Sequence, residues 1–310
     1  MSSKLKSPLK WHGGDFYQAA WKLSHFPPIG SYKEYVSLCF GGGNLECSMT
    51  PDRYEGVSEV VNDLDGDLMN WWEVMADESL RQMFSNMLEF TPFSKKMFED
   101  KKKLLEMGHP KDKVSHALNF FLVNRQSRQG LMKDFATLSK SRTRRGMNEQ
   151  VSSWLTAIEG LPEVHERIKR FVILSESMFD VIRREDSGDT FFYIDPTYLH
   201  GTRVAKQAYR CELSERGHWI LIEMLSVKTN FPGMDAKWWE TLQGDEPFSD
   251  FEKACSFKLK GRFLLCGYES SLYNVAAESE AWRVEKRQFK NSSSSKKSKE
   301  LKTECIWMNY

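Results

Sequence analysis

Residues 189–200 read DTFFYIDPTYLH, and this stretch limits the fold more tightly than any other. Phe191, Phe192, Tyr193 and Ile194 make a short run of aromatic and β-branched residues, the content of a buried strand. The run must stop at Asp195 and Pro196, because proline has no N–H to give to a sheet ladder. A buried strand therefore delivers a carboxylate, a rigid turn and the Tyr198 ring to its carboxyl end.

Similar runs recur at residues 35–40, 57–62, 171–174 and 262–266, with two further candidates at 282–288 and 303–307. Helical patterns cover residues 66–76, 114–123, 149–158 and 214–226. Strand and helix in alternation predict an α/β fold, a sheet with helices on both faces. Residues 78–170 break the rhythm and read as an inserted, largely helical domain. The expected division is a first core segment at 1–77, the insertion at 78–170 and a second core segment at 171–310. Within the last lies a loop elaboration at about 227–258, rich in Trp, Pro, Gly and acids. The polar run NSSSSKKSK at 291–299 predicts a flexible loop between the last two strands.

Composition narrows the function classes. A chain of 310 residues, 40% apolar and 28% charged, predicts an ordinary soluble globular protein. It contains no apolar stretch of signal-peptide or membrane-spanning length, so a cytoplasmic location is expected. The cysteines at 39, 47, 211, 255, 266 and 305 are scattered, with no CxxC pair or histidine at zinc-ligand spacing. Free thiols and no metal are the expectation. A net charge of +1 excludes a polycation, yet residues 124–147 carry many Lys and Arg with Asp134 the sole carboxylate. That bias suits a nucleic-acid surface, and equally a solvated charged face.

Three more stretches could carry chemistry. YVSLCFGGGN at 35–44 runs a buried strand into three glycines, where backbone can approach a ligand closely. It lacks the GxGxxG spacing, and taken alone also suits a plain tight turn. In EVVNDLDGDLMNWW at 59–72, a strand ends at Asn62 and Asp63 about twenty residues after the glycine turn. Asp63 is placed to accept from two ribose hydroxyls, while Asp65 fits a helix cap. PLKWHGG at 8–14 offers Trp11, by default a core residue, whose π-face could also cover an adenine or a sulfonium. Asp195 and the Pro196 carbonyl could both accept from one exocyclic amine, with Tyr198 stacked on its ring.

Taken in order, PLKWHGG, FGGG, VVNDLDGDLMNWW, NRQSRQGLMKDF, YIDPTY, GYESSLY and TECIWMNY resemble the adenine-specific DNA methyltransferases of the Dam-like class. The resemblance runs from about residue 8 to 310, interrupted at roughly 227–258. It implies a Rossmann-like S-adenosylmethionine-dependent methyltransferase sheet carrying a target-recognition insertion. It further implies methylation of the N6 amine of adenine in double-stranded DNA, in a bacterial or phage-infected cell. A cognate restriction endonuclease is a partner class that it admits. By position, Trp11, Gly13, Phe40, Gly41, Gly43 and Asp63 would line the cofactor pocket, with Asp195 near both the cofactor and the target amine. Asp195, Pro196 and Tyr198 would form the catalytic pocket. Arg125, Arg128 and Lys133, then Arg142, Arg144 and Arg145, would contact phosphates, and Asn124 and Gln126 would read base edges.

The chain departs from the family pattern at Asp15, where lysine is usual, and at Ser37, Leu38 and Cys39, which replace Glu-Pro-Phe. Thr197 replaces the second proline of DPPY. Asp15 and Ser37 alter charge at the cofactor pocket and motivate a second reading, a non-catalytic DNA-binding protein on the same fold. A third, methylation of cytosine N4, shares the chemistry of an exocyclic amine.

Overall fold

In the computed structural model, which describes residues 5–11, 18–108, 112–199, 210–227, 235–290 and 301–310, each apolar run predicted as a strand is one, to within a few residues. In chain order the first elements are α1 (Ala19–Ser24), β1 (Glu34–Ser37), α2 (Asn44–Cys47), α3 (Pro51–Tyr54), β2 (Ser58–Asn62) and α4 (Gly66–Ala76). There follow α5 (Glu78–Glu89), α6 (Lys95–Glu106), α7 (Lys113–Gln126), β3 (Thr143–Arg144), β4 (Met147–Asn148), α8 (Glu149–Glu159) and α9 (Leu161–Ile168). The chain continues through β5 (Val172–Leu174), α10 (Met178–Glu185), β6 (Thr190–Ile194), α11 (Glu215–Leu225), α12 (Ala236–Trp239) and α13 (Phe248–Ser256). It closes with β7 (Arg262–Tyr268), α14 (Ser271–Glu280), β8 (Arg283–Lys290) and β9 (Leu301–Met308). Residues 291–299 lie outside the described residues, as do Gly13 and Asp15.

The chain divides into two compact units, Met1–His25 with Phe40–Glu176, and Phe26–Cys39 with Ser177–Tyr310. These bounds differ from the division at 77 and 170, and the reason is hydrophobic. In the first unit a single buried cluster joins Val61 of β2, Trp71 and Trp72 of α4, Phe84 and Leu88 of α5, Phe98 of α6, Phe120 and Phe121 of α7, and Trp154 of α8. Trp71 stacks on Phe121 with ring centroids 5.6 Å apart. The helices at 78–168 thus share the core that covers β2, which pairs in parallel with β5. α7 is buried on all sides, every residue from 116 to 126 being buried, which marks a central helix. Local chemistry sets the ends: Asp65 caps α4 through Asp67 N and Leu68 N, Asp77 caps α5, and Ser94, Asp112 and Asn148 cap α6, α7 and α8.

In the second unit β1, β6 and β7 run parallel, and β9 and then β8 continue antiparallel, leaving β8 at the edge. β6 is buried along its whole length, as a strand apolar on both faces must be. β1 ends at Ser37, three residues before the predicted limit at 40; Leu38 N still donates to Tyr193 O at 3.0 Å. The elaboration at 227–258 contains α12 and α13, whose Trp238, Trp239 and Phe251 pack together. Mostly parallel strands interleaved with helices make this a mixed α/β, Rossmann-like fold.

Candidate active site

In the first unit, the strand end of β2 and the glycine turn are one structure. Asp63 Oδ2 accepts from Gly41 N at 2.8 Å and Oδ1 from Asp65 N at 3.0 Å. Phe40 N donates to Asn62 O at 2.8 Å, and Trp72 Nε1 to Gly41 O at 3.1 Å. Trp11 lies directly over the turn: a Cβ at Gly41 would sit 2.6 Å from its Nε1, and one at Gly42 2.5 Å from its Cβ. Gly41 and Gly43 hold φ of +52° and +62°, so glycine is required there by conformation as well as by space. Phe40 itself is buried, its ring 4.9 Å from that of Trp72, and supports the turn from beneath.

Burial pushes the Asp63 carboxyl up to about 6, the neighbouring Asp65 carboxylate adds to this, and the N–H groups of Asp65 and Gly41 oppose it. Each carboxylate oxygen has a second lone pair, so a ribose diol can still be accepted. Leu64, largely exposed, stands beside Asp63 and offers an apolar surface. On the other flank Asn62 Nδ2 donates to Glu176 O at 3.1 Å while Glu176 N donates to Asn62 Oδ1 at 2.9 Å, fixing the chain after β5. A carboxylate with acceptor lone pairs to spare, a bare backbone turn and an indole are a set of groups that fits a nucleoside.

In the second unit, β6 ends as its sequence requires. Asp195 is half-buried and accepts from Tyr193 Oη at 3.4 Å; Pro196 is buried. Thr197 Oγ1 accepts from Leu213 N at 2.7 Å, tying the turn to the chain just before α11. Tyr198 donates its phenol proton to Glu304 of β9, and its ring meets Tyr268 edge-on at 4.5 Å. Glu304 and Tyr268 face each other across the β7 and β9 ladder. Ser37 is fully buried beside Tyr193 in the β1 and β6 register, its Oγ without a hydrogen-bond partner among the described residues.

The basic segment divides sharply. Asn124, Arg125 and Gln126 are buried in the last turn of α7 and hold the scaffold. Asn124 bonds to the Lys10 backbone, Arg125 Nη2 to Ser153 O and Oγ at 2.7 and 2.9 Å, and Gln126 to Ser94 N and Pro92 O. Arg128, Lys133, Arg142, Arg144 and Arg145 are exposed. The last three belong to a short ribbon, β3 and β4, closed by Arg145 and Gly146 with φ of +56° and +75°, the signature of a type I′ turn. Arg145 also grips Glu159 with two bonds, at 2.8 and 2.9 Å.

A family model described as D12 class N6 adenine-specific DNA methyltransferase matches residues 11–230. The chain belongs to that family. As a D12 class methyltransferase it is an enzyme that methylates the N6 amine of adenine in DNA, and neither cytosine N4 methylation nor a non-catalytic role has support. The family implies a methyl donor and a DNA substrate. No curated protein matches the chain. Among the described residues no helix is long and apolar enough to cross a membrane, and no group of His, Cys, Asp or Glu is placed to hold a metal. Tyr268 and Glu304, which fix the Tyr198 ring, lie beyond the matched span. Both lie in stretches that carry the family resemblance, GYESSLY and TECIWMNY, but no role at the Tyr198 ring was expected of either; an acid among the apolar residues of a terminal strand was the one further signal.

Proposed function

We propose that the methyl donor is S-adenosylmethionine and that the acceptor is an adenine flipped out of double-stranded DNA. Trp11, the 40–43 turn and Asp63 would hold the donor: Asp63 by its ribose hydroxyls, the turn by backbone and Trp11 by its π-face. The sulfonium supplies an activated methyl group and a good leaving group. The chain's own residues then work on the amine. Its lone pair is delocalised into the purine ring, and acceptance of its protons by Asp195 and the Pro196 carbonyl favours pyramidal, positively charged nitrogen. Tyr198 stacks on the flipped base, which is out of reach inside a duplex. What supports this most is the strand end itself, where a half-buried carboxylate follows a fully buried strand and the tyrosine ring is fixed by Glu304 and Tyr268.

Arg128, Lys133, Arg142, Arg144 and Arg145 are the phosphate contacts in this reading, since Asn124, Arg125 and Gln126 are engaged inside the protein. The enzyme would act in the cytoplasm of a bacterial or phage-infected cell, alone or beside a restriction endonuclease of the same specificity. The test is turnover on adenine-containing duplex DNA with S-adenosylmethionine as donor. Asp195→Ala is expected to lose about a hundredfold or more in kcat while DNA affinity stays within about twofold. Equal loss of both would make Asp195 structural, and absence of calorimetric heat at millimolar donor would remove S-adenosylmethionine.

A further inference from the structure

Asn124 has no exposed surface, and both ends of its side-chain amide bond to one residue. Lys10 N donates to Asn124 Oδ1 at 2.9 Å, and Asn124 Nδ2 donates to Lys10 O at 2.9 Å. One planar side chain thus satisfies both backbone groups of a residue 114 positions away and fixes its peptide planes. The contact is supported on either side. Lys10 Nζ reaches Ser127 O at 3.5 Å and Gln150 Oε1 at 3.4 Å, and burial, with the nearby Arg125 guanidinium, draws the Lys10 amine down to about 8. Gly130, at φ +74°, lies so near that a Cβ there would fall 2.0 Å from Lys10 O. The next residue in the chain is Trp11, whose indole covers Gly41 and Gly42, and Gly41 N is the donor that holds Asp63.

We infer that Asn124 is a positioning residue for the methyl-donor site, setting Trp11 on the glycine turn through the Lys10 backbone, and not a reader of DNA bases. The inference rests on the assignment of Trp11 and the turn to the donor made above. An amide on a basic stretch reads in sequence as a base contact, but here it faces inward, buried and bonded to the Lys10 backbone, out of reach of a DNA base.

Calorimetric affinity for S-adenosylmethionine, with steady-state kinetics on duplex DNA, tests this in a cycle of wild type, Asn124→Ala, Trp11→Ala and the double variant. Asn124→Ala is expected to weaken donor binding about tenfold, the scale of a lost pair of hydrogen bonds. Its kcat at saturating donor and its KM for DNA should stay within about twofold. The double variant should bind the donor no worse than Trp11→Ala alone, because the amide acts through the indole. Additive losses overturn the inference, as does a Asn124→Ala protein that loses DNA affinity with donor affinity intact. Trp11→Ala with wild-type donor affinity would overturn the underlying assignment of Trp11 as well, a result distinguishable from additivity. If Asn124→Ala does not fold, Asn124→Asp keeps the acceptor for Lys10 N and sets a carboxylate against Lys10 O. The same donor-specific loss is expected there, and unchanged donor affinity overturns the inference.

Discussion

At the scale of single residues, two side chains connect local chemistry to measurable behaviour. Asp63 holds a carboxyl whose burial raises it to about 6, so it gains a proton as pH falls through that value. The protonated form presents one acceptor fewer to a ribose diol. Donor affinity is therefore expected to be full above about pH 7 and to weaken progressively below about pH 6. Calorimetry from acid to neutral pH checks this, and Asp63→Asn should flatten the profile. Thr197 is the other. A proline at its position would stiffen the turn, but the threonine hydroxyl accepts from Leu213 N instead. One hydrogen bond of about 1 kcal/mol corresponds to several-fold in rate if it orders the catalytic turn. Thr197→Ser is expected to keep wild-type kcat, and Thr197→Val and Thr197→Pro to lose about three- to tenfold. Equal kcat in all three would show that the hydroxyl is irrelevant to turnover.

Among elements, legibility in the sequence followed burial. β6 and β7 were plain because strands buried on both faces are written as unbroken apolar runs. α4 was plain because Asp65 begins it and a dense apolar pattern follows. The ribbon of β3 and β4 was not, since its two-residue strands are polar and carry no periodicity. Its one local sign was the Arg145 and Gly146 pair, suited to a turn with two positive φ angles. The last turn of α7 misled for the opposite reason: Asn124, Arg125 and Gln126 have surface chemistry, and only the surrounding α6, α8 and N-terminal segment show them to be internal. The ribbon leads to a prediction. Arg144→Ala should weaken DNA binding about equally across sequences and reduce the salt slope by about one. Gly146→Val, forced to positive φ, should have a similar effect by distorting the ribbon.

For the whole molecule, a net charge of +1 means that DNA affinity depends on placement of charge and not on its sum. If the exposed Arg128, Lys133, Arg142, Arg144 and Arg145 are the phosphate contacts, the slope of log K against log salt should be no steeper than about −4.5, at about −0.9 per phosphate. A steeper slope, measured by fluorescence anisotropy, would bring in further basic groups such as the lysines of α6. β8, the last strand in its ladder, has one more consequence. Its outer row of N–H and C=O groups is a template for any passing extended chain, and its eight residues are long for such an edge. Arg283, Lys286 and Arg287 are exposed along it, the first two ion-paired with Glu285 and Glu269, and the cost of desolvating these charged side chains opposes edge-to-edge pairing. Lys286→Val with Arg287→Val is expected to leave the melting temperature nearly unchanged while light scattering rises with protein concentration. The charged border strand thus protects colloidal solubility in an enzyme whose Tyr198 is held by the neighbouring strand β9.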